Sequence, residues 1–184
     1  TAVEILRKGI ENVDSKETLY KALVDVYFDI NDLSNATSAI EEVLLLNPRD
    51  NQNRLMLAEI FVRRGYLEKA EGQYETLYRN GFIPDRMILA YASVLRDRGK
   101  FDKALRELEL MREKSPDNVE VLVRIASVLV EKGENDRAQE LFDRCTELNP
   151  SFEPTFYYMG RMNERAKKLK IASDNYRRAL LLDP

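Results

Sequence analysis

The amino-acid sequence predicts an all-α solenoid, a stack of antiparallel helix pairs. Small residues recur with a fixed period, and large apolar residues between them recur at helical spacing. Alanine occupies six positions that are each 34 residues apart: Ala2, Ala36, Ala70, Ala104, Ala138 and Ala172. One hairpin of this length cannot bury its own apolar face, but stacked neighbours can, so the period predicts a repeat architecture.

The first helix of each repeat is predicted from an apolar stripe. Large side chains recur at one place in the period and again four residues later, so they share one helix face. The stripe consists of Leu23, Leu57, Tyr91, Ile125 and Met159, then Tyr27, Phe61, Leu95 and Leu129. A column of small residues stands one position after the first place of the stripe and is predicted to face the alanine column. It consists of Ala58, Ala92, Ala126 and Gly160.

The second helix begins after a glycine and ends at a proline. Glycine allows the backbone to turn where the first helix stops, and the alanine then lets the two helices approach closely. The glycines are Gly65, Gly99 and Gly133, and the prolines are Pro48, Pro116, Pro150 and Pro184. In the first full repeat Asn31 replaces the glycine, and we expect it to adopt the left-handed turn. In the last repeat Lys167 replaces the glycine, and we expect Asn163, in an apolar column, to face water or a missing repeat.

These columns set the bounds of the repeats. Residues 1–16 supply only a second helix, and five full repeats follow at 17–50, 51–84, 85–118, 119–152 and 153–184. In the second repeat Phe82 replaces the proline, and we expect Gly81 and Pro84 to end the helix instead. We predict one solenoid domain over 1–184. Since the first residue is Thr1 and not Met, we expect a piece of a longer chain.

The pattern resembles the tetratricopeptide repeat family over essentially the whole chain. Pentatricopeptide repeats have a slightly longer period and bind RNA, whereas this chain is acidic. The resemblance implies a right-handed superhelix whose first helices line a concave groove for a protein partner. The family's clamp for a C-terminal carboxylate is not matched, since one register offers Lys21, Asp25, Met56, Arg86 and Ala90.

The concave groove is therefore the predicted binding site for a partner peptide or helix. Its candidate residues are Lys21, Asp25, Leu55, Met56, Glu59, Arg86, Leu89, Ser93, Val123, Arg124, Tyr157, Tyr158 and Arg161. Leu55, Leu89 and Val123 recur at one place, which predicts an exposed apolar strip. The alternative is that these side chains pack against neighbouring first helices. Likewise, Tyr157 and Tyr158 either stack on a peptide or pack between repeats.

Composition argues against other functions. The chain has no histidine, a net charge of −3 and a pI near 5.3, so we expect no catalytic residues, metal, cofactor or nucleic acid. Cys145 is predicted to be buried and unreactive. No apolar run approaches the roughly 18 residues of a membrane span, so direct membrane insertion is not expected.

The sequence thus predicts a non-catalytic protein–protein interaction scaffold. The alternative is a regulatory or substrate-recruiting arm of a larger enzyme or of a membrane-associated assembly machine. We expect a cytoplasmic location, with the periplasm left open. Exposed apolar residues at the two ends predict weak self-association: Leu6, Ile10, Leu181 and Leu182.

Overall fold

The computed structural model describes residues 1–13 and 16–182, and within them the chain forms eleven α-helices and no strand. This confirms the predicted all-α fold class. The helices are α1 Ala2–Asn12, α2 Glu17–Asp29, α3 Leu33–Leu46, α4 Asn51–Arg63, α5 Leu67–Arg79, α6 Asp85–Asp97, α7 Phe101–Lys114, α8 Val119–Lys132, α9 Asn135–Leu148, α10 Glu153–Arg165 and α11 Leu169–Leu182. Each predicted full repeat contains one helix pair, α2 with α3 through α10 with α11. The predicted stop at Pro184 lies outside the described residues.

The helices gather into two compact units. The first unit spans Thr1–Pro84 and contains α1 to α5, and the second spans Asp85–Pro184 and contains α6 to α11. The division falls at a predicted repeat boundary. The single solenoid domain over 1–184 stays a prediction.

Two turns use a left-handed backbone without glycine. Asn31 has φ 55° and Lys167 has φ 59°, at the places where other repeats have glycine. In both turns the next residue donates its amide hydrogen back to the helix, Asp32 to the Tyr27 carbonyl and Lys168 to the Asn163 carbonyl, each at 2.8 Å. The expectation for Asn31 is confirmed. Lys167 adopts the same left-handed conformation, in which its Cβ adds backbone strain of about 1 kcal/mol that glycine would avoid.

The small columns are buried, as predicted. From Ala36 to Ala172 every residue of the alanine column is at most 3% exposed, while Ala2 is exposed. In the facing column, a Cβ built on Gly160 would lie 2.6 Å from two ring carbons of Tyr176. Glycine at this position therefore lets α11 pack its tyrosine directly on the α10 backbone.

The prediction for Asn163 is wrong. Its side chain is 8% exposed, and its Nδ2 donates to the Met159 carbonyl at 2.9 Å. The amide therefore donates to its own helix, one turn back, and this bond offsets part of the cost of its burial. Leu181 and Leu182 are 83% and 37% exposed, and self-association through them stays a prediction.

No helix in the described part of the chain combines the length and apolar character needed to cross a bilayer.

Candidate functional site

Polar side chains of three successive first helices meet in the second unit. Arg124 on α8 donates from Nη1 to the Ser93 Oγ on α6 at 2.7 Å. Arg96 on α6 donates from Nη1 to the Ser127 Oγ on α8 at 3.2 Å and to the Tyr158 hydroxyl on α10 at 3.0 Å. The Ser127 Oγ in turn donates to the Arg124 backbone carbonyl at 2.7 Å, so the predicted site residues Ser93, Arg124 and Tyr158 belong to a single network.

Arg96 is the centre of this network. Its side chain is only 10% exposed, and its Nη2 lies 2.9 Å from the Asp97 Oδ1. Burial lowers the pKa of Arg96, but the hydrogen bond to Asp97 and the interaction with Tyr158 outweigh it and raise the pKa overall. The guanidinium also lies 5.7 Å from the centre of the Tyr158 ring. A permanent cation thus holds the Tyr158 ring and hydroxyl in place.

A pocket of about 220 Å³ opens between α8 and α10. Its lining residues are Glu120, Val123, Arg124, Phe152, Glu153, Pro154, Tyr157 and Tyr158. Tyr157 is 43% exposed, and its ring centre lies 5.2 Å from that of Tyr158 at an interplanar angle of 77°. Val123, buried, packs with Leu122 and Tyr158 in the core beneath. The walls of the pocket are therefore mostly aromatic and apolar.

The charges at the pocket edge are unevenly paired. Arg124 Nη2 lies 3.4 Å from the Glu120 Oε1, so this cation has both Ser93 and Glu120 as partners. Within the part of the chain that the structure describes, the Glu153 carboxylate makes no hydrogen bond or ion pair. Glu153 lies in the first turn of α10, where the helix dipole favours a negative charge. The pocket therefore combines aromatic faces with an excess of negative charge.

Arg161 is held in an ion pair beyond the pocket. Its Nη2 lies 2.6 Å from the Glu131 Oε1, and Arg165 Nη1 lies 2.6 Å from the other oxygen of the same carboxylate. Nearby, the Tyr176 hydroxyl donates to the Glu164 carboxylate at 2.7 Å. Burial and this hydrogen bond raise the pKa of Tyr176 to about 12. The predicted site residue Arg161 is thus engaged within the fold.

The predicted exposed apolar strip is wrong at two of its three positions. Leu55 is 1% exposed and Val123 is 2% exposed, while Leu89 is half-buried. The reason is visible at α8, which packs against α6, α7, α9 and α10. A helix with neighbours on several sides needs a wider apolar face than one stripe, and Val123 fills part of it against Leu122 and Cys145. The alternative of packing between helices therefore accounts for Val123, and the burial of Leu55 agrees with it.

The other predicted residues do not join the pocket. In the first unit, Lys21 pairs with Glu17 at 2.7 Å and with Asp50 at 2.8 Å. On the helices of that unit Asp25 is exposed, and Met56 and Glu59 are half-buried. In the second unit Arg86 is exposed and Leu89 is half-buried, both on α6 and outside the pocket lining.

Sequence reasoning missed the segment at the start of α10. Phe152, Glu153 and Pro154 line the pocket, but they stand where a repeat begins, outside the helical stripe. The available signal was proline in the first turn of a helix, which fixes where α10 starts and how the preceding side chains project.

Cys145 is buried, as predicted. Its side chain is 0% exposed, and burial raises the pKa of its thiol to about 12. A thiol held neutral in this way is a poor nucleophile. Among residues 1–13 and 16–182, no group of three or more cysteine, aspartate or glutamate side chains is arranged to hold a metal ion.

Two segments match family models described as tetratricopeptide repeat, residues 21–81 and residues 95–155. Among curated proteins, the probable UDP-N-acetylglucosamine–peptide N-acetylglucosaminyltransferase SPINDLY of Arabidopsis thaliana is 30% identical over 95 residues. That match covers 52% of this chain and 10% of SPINDLY, so the chain spans only a tenth of its curated relative.

Solved structures share the fold over nearly the full chain. YrrB, described as a TPR protein with an unusual peptide-binding site, aligns with a TM-score of 0.69 and 20% identity, over 97% of this chain and 92% of its own. MamA from Desulfovibrio magneticus RS-1 aligns with a TM-score of 0.75 and 15% identity, over 92% and 96%. At these identities the likeness shows the fold alone, and it confirms the predicted tetratricopeptide solenoid class.

Proposed function

The chain belongs to the tetratricopeptide repeat family, whose members are protein-interaction scaffolds, and on this premise we propose that it is a non-catalytic scaffold. It binds an extended segment of a partner protein on the inner face of the second unit, formed by α6, α8 and α10. The partner segment inserts one side chain into the pocket between α8 and α10.

The pocket is the observation that supports this proposal. Its volume of about 220 Å³ suits one large side chain, and its walls offer the rings of Phe152, Tyr157 and Tyr158. The Arg96 hydrogen bond holds Tyr158 before any partner arrives, which lowers the entropy lost on binding. YrrB, a tetratricopeptide protein with an unusual peptide-binding site, supports a peptide as the kind of partner for this fold.

The inserted side chain is a lysine or an arginine. Its aliphatic stem packs on Tyr157 and Phe152, and its charged end reaches the Glu153 carboxylate, which has no partner among the described residues. Arg124 does not repel it strongly, because Ser93 and Glu120 already bind that guanidinium.

A peptide library with one randomised position tests the proposal. The purified chain should enrich lysine and arginine at one position, and Glu153→Gln should remove that preference. Glu113→Gln, at an exposed position of α7, is the matched control and should leave the preference unchanged. A library profile that is the same for the wild-type chain and Glu153→Gln contradicts the proposal.

The match to SPINDLY favours a second candidate, a substrate-recruiting arm of a larger enzyme. In that case the same pocket would present a protein substrate to a catalytic domain elsewhere in the longer chain. Sequencing the gene on either side of these 184 residues would distinguish the scaffold from the substrate-recruiting arm. A glycosyltransferase domain there would support the arm, and further repeats alone would support the scaffold.

A further inference from the structure

Three arginines lie together at one end of the α4–α5 pair in the first unit. Arg49 stands in the loop before α4, Arg54 on α4 and Arg79 in the last turn of α5. A cavity of about 250 Å³ is lined by Arg49, Arg79, Asn51 and Asn80. Of the residues that the structure describes, no carboxylate belongs to this lining.

The partners of these arginines in the described residues are all neutral. Arg54 donates from Nη1 to the Gln73 Oε1 at 2.9 Å and from Nη2 to the Pro48 carbonyl at 2.8 Å. Arg79 donates from Nη2 to the Thr76 hydroxyl at 2.9 Å and from Nε to the Glu75 backbone carbonyl at 3.4 Å.

The Arg49 side chain has fewer partners among the described residues than those of Arg54 and Arg79. Its guanidinium makes neither a hydrogen bond nor an ion pair within residues 1–13 and 16–182. In the second unit, by contrast, Arg144 and Arg161 both pair with carboxylates. Three cations that have no acidic partner among the described residues are therefore a local excess of positive charge in a chain whose net charge is −3.

The nearest acid in the sequence does not neutralise this cluster. Asp50, next to Arg49, turns inward, where its Oδ2 lies 2.8 Å from the Lys21 Nζ and its Oδ1 accepts from the Asn53 backbone amide at 2.9 Å. The side chain of Asp50 is 9% exposed. Burial and then the charge of Arg79 lower the pKa of Arg54. Two guanidinium groups therefore repel each other here without compensation.

The cavity offers hydrogen-bond donors besides the two guanidinium groups. Asn80 Nδ2 donates to the Asn51 Oδ1 at 2.7 Å, which orients the Asn51 Nδ2 group as a further donor. Donors and positive charge converge in a space that has few acceptors.

We infer that this cavity binds the phosphate group of a phosphorylated serine or threonine in a partner protein. A phosphate carries nearly two negative charges and three acceptor oxygens, which match two guanidinium forks and a neighbouring amide. A carboxylate brings one charge and leaves one arginine uncompensated. A protein is the source because the family binds proteins, and the site lies in the other compact unit from the α8–α10 pocket, so the inference goes beyond the proposed function.

Titration with a short peptide in phosphorylated and unphosphorylated form, followed by amide NMR spectra of the whole chain, tests the inference. The phosphoserine peptide should shift the resonances of Asn51 and Asn80, and the unphosphorylated peptide should not. Inorganic phosphate should compete at higher concentration. Arg49→Gln and Arg79→Gln should each weaken binding at least about fivefold, the scale of a lost charge-assisted hydrogen bond.

Arg63→Gln, at an exposed position of α4 in the same unit, is the matched control and should change binding less than twofold (about the scale of a surface charge). Equal binding of the two peptides overturns the inference, as does an Arg63→Gln effect as large as that of Arg49→Gln. Binding to vesicles with anionic phospholipid but not to the phosphopeptide would assign the cavity to a lipid headgroup and also overturn it. Glu153→Gln should leave phosphopeptide binding unchanged, which separates this test from that of the proposed function.

Discussion

Arg96 donates a hydrogen bond of 3.0 Å to the hydroxyl of Tyr158, a residue 62 positions later in the sequence. The bond joins α6 to α10 past the intervening helix α8, and the same guanidinium also binds the Ser127 hydroxyl of α8. Three first helices of the second unit are thus fixed to one buried cation. A hydrogen bond to a charged donor contributes more to stability than one between neutral groups.

Removing the Tyr158 hydroxyl therefore tests the network. We expect Tyr158→Phe to lower the free energy of unfolding by about 1–2 kcal/mol, because Arg96 loses an acceptor while it stays buried. Chemical unfolding in urea, followed by circular dichroism, measures the change. Tyr157→Phe is the control, since the Tyr157 hydroxyl binds no other described residue, and it should change stability by less than about 0.5 kcal/mol. Equal losses in both variants would contradict a stabilising role for the bond.

Gly160 provides a second test, because Tyr176 packs directly on it. A Cβ at this position would lie 2.6 Å from the ring, so we expect Gly160→Ala to destabilise the chain by about 1–3 kcal/mol despite the better helix propensity of alanine. Gly72, within α5, has no atom within 4 Å of an added Cβ. Gly72→Ala should therefore stabilise the chain by about 0.5–1 kcal/mol. Thermal unfolding of the two variants should shift in opposite directions.

The repeat period made most of the fold predictable. Ala104 and Gly99 recur in phase with their equivalents, and the structure buries the alanine and gives the glycine a φ of 72°. Periodicity did not predict exposure, because a column such as Leu55 and Val123 has the same spacing whether it faces a ligand or a neighbouring helix.

The pocket was only half predictable for a related reason. Tyr157 and Tyr158 stand 34 residues after the predicted groove residues Val123 and Arg124, whereas Glu153 stands in the first turn of α10, outside the predicted columns. The hydrogen bonds between helices could not be predicted either, because bonds such as that of Arg96 to Tyr158 depend on the rotation between helices. The repeat sequence does not encode that rotation at any single position.

Lys167 carries local backbone strain that glycine would relieve. With φ at 59°, this lysine occupies the left-handed region that three other repeats give to glycine. We expect Lys167→Gly to raise the free energy of unfolding by about 0.5–1 kcal/mol, since the strain removed exceeds the extra entropy of the unfolded chain. Lys170→Gly, in the first turn of α11, should have the opposite effect by up to about 1 kcal/mol, the cost of glycine in a helix interior. Urea unfolding curves that show stabilisation in neither variant would contradict strain at this turn.

Cys145 predicts a pH dependence of stability in the alkaline range. Its thiol has a pKa of about 12 in the folded chain, above its ordinary value of 9.0, because burial disfavours the thiolate. The unfolded chain therefore loses this proton first, and the stability that the neutral thiol contributes is complete below pH 9 and declines as the pH rises toward 12. Replacement by valine, which Val43 shows to fit the same column, removes the titrating group. We expect the free energy of unfolding of Cys145→Val to fall less steeply than that of the wild-type chain between pH 9 and pH 10.5, measured in urea with a reducing agent present. Parallel curves for the two proteins would mean that the thiol titrates alike in the folded and unfolded chain, contrary to its burial.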